Sequence, residues 1–342
     1  MIKAFLSLSV LSMALLLSVV FWANHWWTES AVQLRAPLQM EIKEGSSIQS
    51  VSHDLHKQGL ITVSPKLFQW GWRLTMAKST LKAGDYKFEG TLPPAKIARI
   101  LSTGQIVTLA VTIPEGWNMY QIAERLENAF PKTTKAKWLQ LMTDPKFREQ
   151  VPGNPAHLEG FLFPETYSFS PKSSPVEVIS TMVQTFKKNF TQEIIDKGNG
   201  LKLSPLGIVT LASIIEKETG KAEERPHISS VFHNRLRIGM RLQTDPTVIY
   251  GIWDRYDGNI RKSDLREPTP YNTYVISGLP PGPIASPGLA SLKAAVEPKQ
   301  TEDLYFVSRG DGSHVFSSNL RDHERGVYQY QIQPARNRAV RN

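Results

Sequence analysis

The stretch SPLGIVTLASIIEKETGKAEERPHISSVFHNRLRIGMRLQTDPTVIYG, residues 204–251, decides how the rest of the chain is read. It opens with Ser204, able to cap orphan backbone donors, and Pro205, whose fixed φ suits a first helical position. Residues 206–215 are apolar almost all round the helical wheel, interrupted by Gly207, Thr210 and Ser213. A helix without a polar face belongs in a domain core. This one ends in Glu216, Lys217 and Glu218, with Gly220 placed as a left-handed stop. Two carboxylates thus leave a buried helix at its C-terminus, where macrodipole and low dielectric both favour the neutral acid. The dipole supplies only about 0.3–1 kcal/mol, so desolvation must supply most of any shift. A carboxylic acid kept neutral near pH 7 is equipped for general-acid work. Helical spacing does not choose between Glu216 and Glu218, and helix-end glutamates are also commonly just solvated.

Outward from that stretch, the 342 residues suffice for a small domain and a larger one. Forty Lys plus Arg against 31 Asp plus Glu give a formal charge of +9, which suits a polyanion or an anionic lipid surface. The basic residues are scattered without aromatic interleaving, so no nucleic-acid partner is expected. Cysteine is absent, which excludes disulfides, thiol nucleophiles and cysteine zinc sites. The histidines form no HExxH, and there is no GxSxG, P-loop or GxGxxG, so neither metal nor cofactor is expected.

At the N-terminus, residues 4–23 carry no charge after Lys3, about the length that crosses a hydrocarbon core. Lys3 and the terminal amine leave the N-terminus in the cytoplasm, and Trp22, Trp26 and Trp27 mark the far interface. The stretch lacks a clear small-x-small cleavage site, so an uncleaved transmembrane anchor over 1–27 is expected, with the body outside the cytoplasmic membrane. Residues 31–37 read as a tether. A strand at 38–43, a turn at Glu44-Gly45 and a helix over 48–58 follow. The pattern returns: IKEGSSIQSVSHDL (42–55) and IPEGWNMYQIAERL (113–126) share I-x-E-G and matched apolar offsets. Between them lie a strand, a Pro-rich turn and a helix over 95–101. Residues 130–200 read as mostly helical; within them HLEGFLFPETYSF (157–169) offers core aromatics with Glu159 and Glu165 as solvated acids. Residues 254–287 are loop-rich, and so long a loop is usually functional. Further expectations are a helix over 289–296, a hairpin through LYFVSRGDGSHVFSS, a helix over 322–330 and a basic tail.

Residues 38–107 loosely resemble LysM, a small module that holds glycans of N-acetylated sugars. ASIIEKET (212–219), VFHNRLRIGMRLQTDPTVIYG (231–251) and YNTYVISGLPPGPIASPG (271–288) resemble the endolytic murein transglycosylases of the MltG (YceG-like) family, as do LEGFLFPETY and SHVFSS. NLRDHERGV departs from that family's pattern, at a contact expected to be peripheral. The fold class expected is α+β: a transmembrane anchor (1–27), a LysM-like α+β subdomain (28–108) and a mixed α+β catalytic domain (109–342). The resemblance implies an inner-membrane enzyme, single-pass with its body periplasmic. It would cut the β-1,4 bond between N-acetylmuramic acid and N-acetylglucosamine inside peptidoglycan strands, leaving 1,6-anhydromuramyl ends. Matching EKET onto the family motif makes Glu218 the catalytic acid/base. Asn234, Gln243, Asp245, Tyr271, Asn272 and Tyr274 are the expected substrate-binding wall. For Asp245, the edge of a strand or loop and the start of a helix at Pro246 both stay open. The implied partners are glycan strands and penicillin-binding synthases, with a role in ending nascent strands. Two rivals stand: a non-catalytic glycan-binding scaffold for synthases, and a two-carboxylate muramidase with Glu223, Asp245 or Glu267 as second acid.

Overall fold

The computed structural model describes residues 2–333, with side chains from Met13 onward. The chain divides into two compact units, Met1–Leu109 and Ala110–Asn342.

The first unit runs α1 (Ile2–Glu29), β1 (Val32–Gln33), β2 (Leu38–Ile42), α2 (Ile48–Lys57), α3 (Pro65–Thr75), β3 (Gly84–Phe88), β4 (Thr91–Leu92) and α4 (Pro94–Thr103). β2 and β3 pair antiparallel, with Leu38 opposite Phe88 and Met40 opposite Tyr86. Alternation puts Met40, Ile42, Tyr86 and Phe88 inside and Gln39, Glu41 and Lys87 outside, as the two-residue period of a strand requires. Trp26 and Trp27, at the end of α1, are buried in the same core as Phe68, Trp72 and Ile97. Residues 31–37 are therefore no tether: β1 pairs antiparallel with β4, Val32 opposite Leu92, and fastens the end of α1 to the unit. The apolar side chains from Leu15 to Trp22, by contrast, are exposed. Among the described residues no single helix is long and apolar enough to cross a membrane, and the side chains at 4–12 of the expected anchor lie outside the described set.

The second unit contains β5 (Leu109–Thr112), α5 (Met119–Ala129), α6 (Lys135–Met142), α7 (Pro145–Arg148), β6 (Thr166–Phe169), α8 (Pro175–Asn189), α9 (Gln192–Gly200), α10 (Pro205–Glu218), α11 (Arg225–Arg237), α12 (Asp245–Gly251), α13 (Leu289–Val296), β7 (Tyr305–Ser308), β8 (His314–Ser317) and α14 (Leu320–Val327). β5 pairs with β6, and β7 with β8 around the Gly-Asp-Gly loop. The last turns continue as a π-helix to Ile332, and the expected basic tail from 334 lies outside the described residues. The two I-x-E-G segments build the same local structure, one in each unit. In each, a strand is followed by a glycine at positive φ (Gly45 at 77°, Gly116 at 74°) and then a capped helix. Ser47 accepts from Ser50 N–H, and Asn118 from Gln121 N–H.

α10 is the axis of the second unit. Ser204 Oγ accepts the Gly207 N–H at 3.0 Å, closing the N-terminus as the sequence predicts. Ile208 to Ile215 are buried without interruption, packed by α9, α11, α12 and α13. The C-terminus differs from expectation. Thr219 leaves the helix in extended conformation and Gly220 has no left-handed φ, so the chain turns straight out of the last helical turn. Along α10, Ser213 Oγ accepts the Ile284 N–H at 3.0 Å and Glu216 accepts the Gly288 N–H at 2.9 Å. Those two bonds seat the Pro- and Gly-rich loop on the helix.

Candidate active site

Glu216 and Glu218 leave the last turn of α10 into different surroundings. The Glu216 carboxylate takes an Arg225 guanidinium nitrogen at 3.0 Å besides the Gly288 N–H, and both paired side chains are buried. Each of its two oxygens is thus taken by a structural partner. Glu218 instead lines a cavity of about 530 Å³ together with Arg235, Gln243, Thr244, Asp245, Tyr274, Tyr305 and His314. Burial pushes its carboxyl up to about 7, and the neighbouring Asp245 charge pushes in the same direction. The Thr244 hydroxyl, His314 and Arg235 all act the other way. The result is an acid poised to give a proton near neutral pH and to carry the charge afterwards.

Thr244 donates its hydroxyl to Glu218 Oε1. Its position is set by a threonine cluster: Thr244 N–H donates to Thr273 Oγ1 at 3.0 Å, and Thr247 Oγ1 lies 2.8 Å from Thr273 Oγ1. Gln243, one residue earlier, sits at φ 48°, a left-handed conformation costly for a side chain larger than glycine, and its N–H donates to Thr273 O at 3.2 Å. The LQTDP turn is thus latched to the loop carrying YNTY. Asp245 is the first residue of α12, with Thr244 before it in the cap position and Pro246 in the first turn, so the helix starts one residue earlier than expected and Asp245 does not cap it. Its Oδ1 accepts the Tyr274 hydroxyl at 2.7 Å.

Gln243, Asp245 and Tyr274 therefore surround one cavity with Glu218. The other three expected wall residues do not line it. Asn272 is fully buried, donating to Asp264 O at 3.0 Å and Glu267 O at 2.8 Å, and its Oδ1 accepts the Tyr274 N–H. It shapes the loop that presents Thr273 and Tyr274. Tyr271 packs edge-on against Tyr250 at 4.7 Å. Asn234 spends its amide on Thr301 O and Asp303 O and lines a separate cavity behind α11. Among the candidate second acids, Asp245 is in the cavity, Glu267 pairs with Arg255, and Glu223 is exposed outside it.

Several cavity residues were not anticipated. Arg235 is buried, donating to Leu304 O at 2.6 Å and Leu242 O at 2.5 Å, with Tyr305 beneath its guanidinium. His314 is clamped by Glu224, whose oxygens take the His314 N–H at 3.0 Å and Nδ1 at 2.7 Å. Burial opposes ionisation of Glu224, but the bonds from His314 carry its carboxyl below its ordinary value. A carboxylate only accepts, so Nδ1 holds the proton and Nε2 is the ring's open nitrogen. Leu320 and His323 also line the cavity, so the NLRDHERGV departure lies at its wall and not at the periphery. The sequence signs of this side were the SHVFSS motif and the NLRDHERGV segment.

The sequence profile of the YceG-like family matches residues 40–329. The chain belongs to the YceG-like family. A relative from Bacillus subtilis (strain 168), named endolytic murein transglycosylase, is 33% identical over 315 residues, covering 86% of this chain and 85% of its own length. One of the same name from Streptococcus pneumoniae (serotype 2, strain D39) is 28% identical over 365 residues, covering 96% of this chain, which spans 65% of that relative's length. The crystal structure of a yceG-like protein from Listeria monocytogenes matches with a TM-score of 0.59 and 34% identity, over 85% of this chain and 99% of that one. In this YceG-like chain, one further acid departs from its expected environment. Glu159, read as solvated, is fully buried, and its carboxylate takes the Met119 N–H at 2.9 and 3.1 Å at the start of α5.

Proposed function

We propose that this chain is a membrane-anchored endolytic lytic transglycosylase of peptidoglycan, with Glu218 as its single acid/base. The observation that carries this is one raised carboxyl in an open polar cavity, while its neighbour Glu216 is consumed by an ion pair. The curated names of the B. subtilis and pneumococcal relatives supply the substrate class. On this reading Glu218 protonates the leaving oxygen of the β-1,4 bond between N-acetylmuramic acid and N-acetylglucosamine. Positive charge develops at the anomeric carbon, and the adjacent Asp245 carboxylate with the substrate's N-acetyl group stabilises it. Glu218, now ionised and hydrogen-bonded by Thr244, takes the proton of the sugar's C6 hydroxyl as that oxygen closes on the anomeric carbon. The nucleophile is intramolecular, which supplies a high effective concentration, and no water is consumed.

α1 serves in this reading as a single-pass anchor with the second unit in the periplasm. Its 28 residues give about 42 Å of helix against roughly 30 Å of hydrocarbon. The first unit holds glycan, and the enzyme ends nascent strands beside penicillin-binding synthases.

Asp245 gives one specific ground for a second reading, a hydrolase in which that carboxylate activates water or attacks carbon. Digestion of uncrosslinked nascent glycan by the purified full-length protein separates the two. Anhydro ends are expected, with no cleavage by Glu218→Gln. Reducing ends, heavier by one water, would sink the transglycosylase mechanism in favour of the hydrolase.

A further inference from the structure

In the first unit, α3 is sided in a way the core does not explain. Phe68 and Trp72 face inward and are buried. Next round the helix comes Gly71, where an added Cβ would lie 2.2 Å from the Trp27 ring, so α1 passes directly against this flank. Trp27 also meets Phe68 with ring centroids 5.6 Å apart. Beyond Gly71 lie Leu67, Leu74 and Trp70, spaced three and four residues apart on one face and exposed by 39%, 75% and 65%. Beyond these again stand Lys66 and Arg73, both exposed. The order round α3 is therefore core, α1, bare apolar stripe, cations. This is the cross-section of a helix lying in a membrane interface.

α1 fixes where that stripe sits. The helix runs unbroken from the exposed apolar stretch ending at Trp22 to the buried Trp26 and Trp27. Trp27 stands five helical steps beyond Trp22, about 7.5 Å along the axis. No flexible joint intervenes, because β1 follows within three residues of Glu29 and is paired. A helix packed against Trp27 is thus held within a turn or two of the surface that α1 must bury in lipid.

We infer that Leu67, Trp70 and Leu74 of α3 lie in the boundary between headgroups and acyl chains beside the exit of α1, with Lys66 and Arg73 against lipid phosphates. The inference rests on the anchoring reading above. Lipid is favoured as the occupant because the stripe adjoins the α1 flank, and tryptophan with bordering cations matches an anionic interface.

The chain has no cysteine, so single cysteines can carry a fluorescent label in the full-length protein. Val20→Cys reports the anchor, Trp70→Cys and Leu74→Cys the stripe, and Lys146→Cys an exposed site on the second unit. The protein is reconstituted in vesicles of phosphatidylethanolamine with a minority of phosphatidylglycerol, some lipids carrying a shallow nitroxide. Roughly twofold or greater quenching by the nitroxide lipid is expected at 70 and 74, as for a side chain buried at the interface. Aqueous iodide should quench 146. Lipid quenching at 20 combined with iodide quenching at 70 and 74 would overturn the inference while leaving the anchor intact. Failure of lipid to quench 20 would overturn the anchor and this surface with it. Labels at 70 and 74 shielded from both quenchers would identify a protein partner or a second copy on the stripe, which also overturns it.

Discussion

Glu216 and Glu218 stand two residues apart on the last turn of one buried helix, and one is locked in an ion pair with Arg225 while the other faces a cavity. Exchanging them for glutamine should therefore have opposite signatures. Glu216→Gln leaves the buried Arg225 guanidinium without its close carboxylate, a loss of about 3 kcal/mol or more. Denaturant unfolding should show it, with cleavage per folded molecule retained. Equal stability of this variant and wild type would contradict the structural role of Glu216.

Glu218→Gln should abolish cleavage and stabilise the protein at alkaline pH. Its folded-state value, about 7, lies above the ordinary 4.5, so the folded protein binds this proton more tightly. The corresponding stability is fully present below about pH 4.5 and is lost as pH rises through 7. Glutamine cannot ionise and escapes that loss, on the order of 2–3 kcal/mol by pH 8. The difference in unfolding free energy between the variant and wild type should grow from pH 4.5 to 8. A constant difference would show that the carboxyl is not held neutral.

The pH–rate profile should fall as Glu218 loses its proton, with an alkaline limb in kcat/KM near 7. The groups that act on it come from several elements: Asp245 of α12, His314 of β8, Arg235 of α11 and the Thr244 hydroxyl. Asp245→Asn removes a like charge and should move the limb to lower pH. His314→Gln removes a group that favours the carboxylate and should move it higher. Limbs that do not shift in these opposite directions would assign the titration to another residue.

The sequence made α10 and its terminal acids legible because an all-apolar helix with a capped start is a local pattern. Which acid faces open space was not local: it depends on Arg225 and Gly288, drawn in from elsewhere in the chain. The same limit explains Asn272 and Asn234. A polar residue in a long loop resembles cleft lining until the backbone carbonyls that take its amide are known, and for Asn234 these lie at Thr301 and Asp303. The clamp of Glu224 on His314 spans 90 residues and leaves no trace in spacing. Residues 31–37 looked like a tether because a two-residue strand pairing with Thr91 and Leu92 has no compositional mark.

Thr244→Val keeps the shape of the side chain and removes the hydroxyl that supports ionised Glu218. That hydrogen bond favours the charged form, so its loss should raise the alkaline limb. The deprotonated half of the cycle loses a charge-assisted bond of about 1.5–3 kcal/mol, so kcat should fall roughly ten- to hundredfold. Thr244→Ser should restore most of it. A valine variant with unaltered kcat and pH profile would remove Thr244 from the mechanism.

Glu159 offers a test of a raised acid that lies outside the cavity. Burial pushes its carboxyl up to about 8, against the pull of the Met119 N–H and the Tyr250 hydroxyl. Glu159→Ala leaves the Met119 N–H at the start of α5 without its acceptor and opens a void, a loss of about 2–4 kcal/mol. Glu159→Gln keeps an acceptor oxygen for that N–H and cannot ionise. It should hold near wild-type stability at pH 5 and surpass it at pH 8, since the wild-type contribution is present below about 4.5 and lost through 8. Neither variant should alter the alkaline limb assigned to Glu218, because Glu159 is not among the residues lining that cavity. A shifted limb in Glu159→Gln would mean that the two acids titrate as one system.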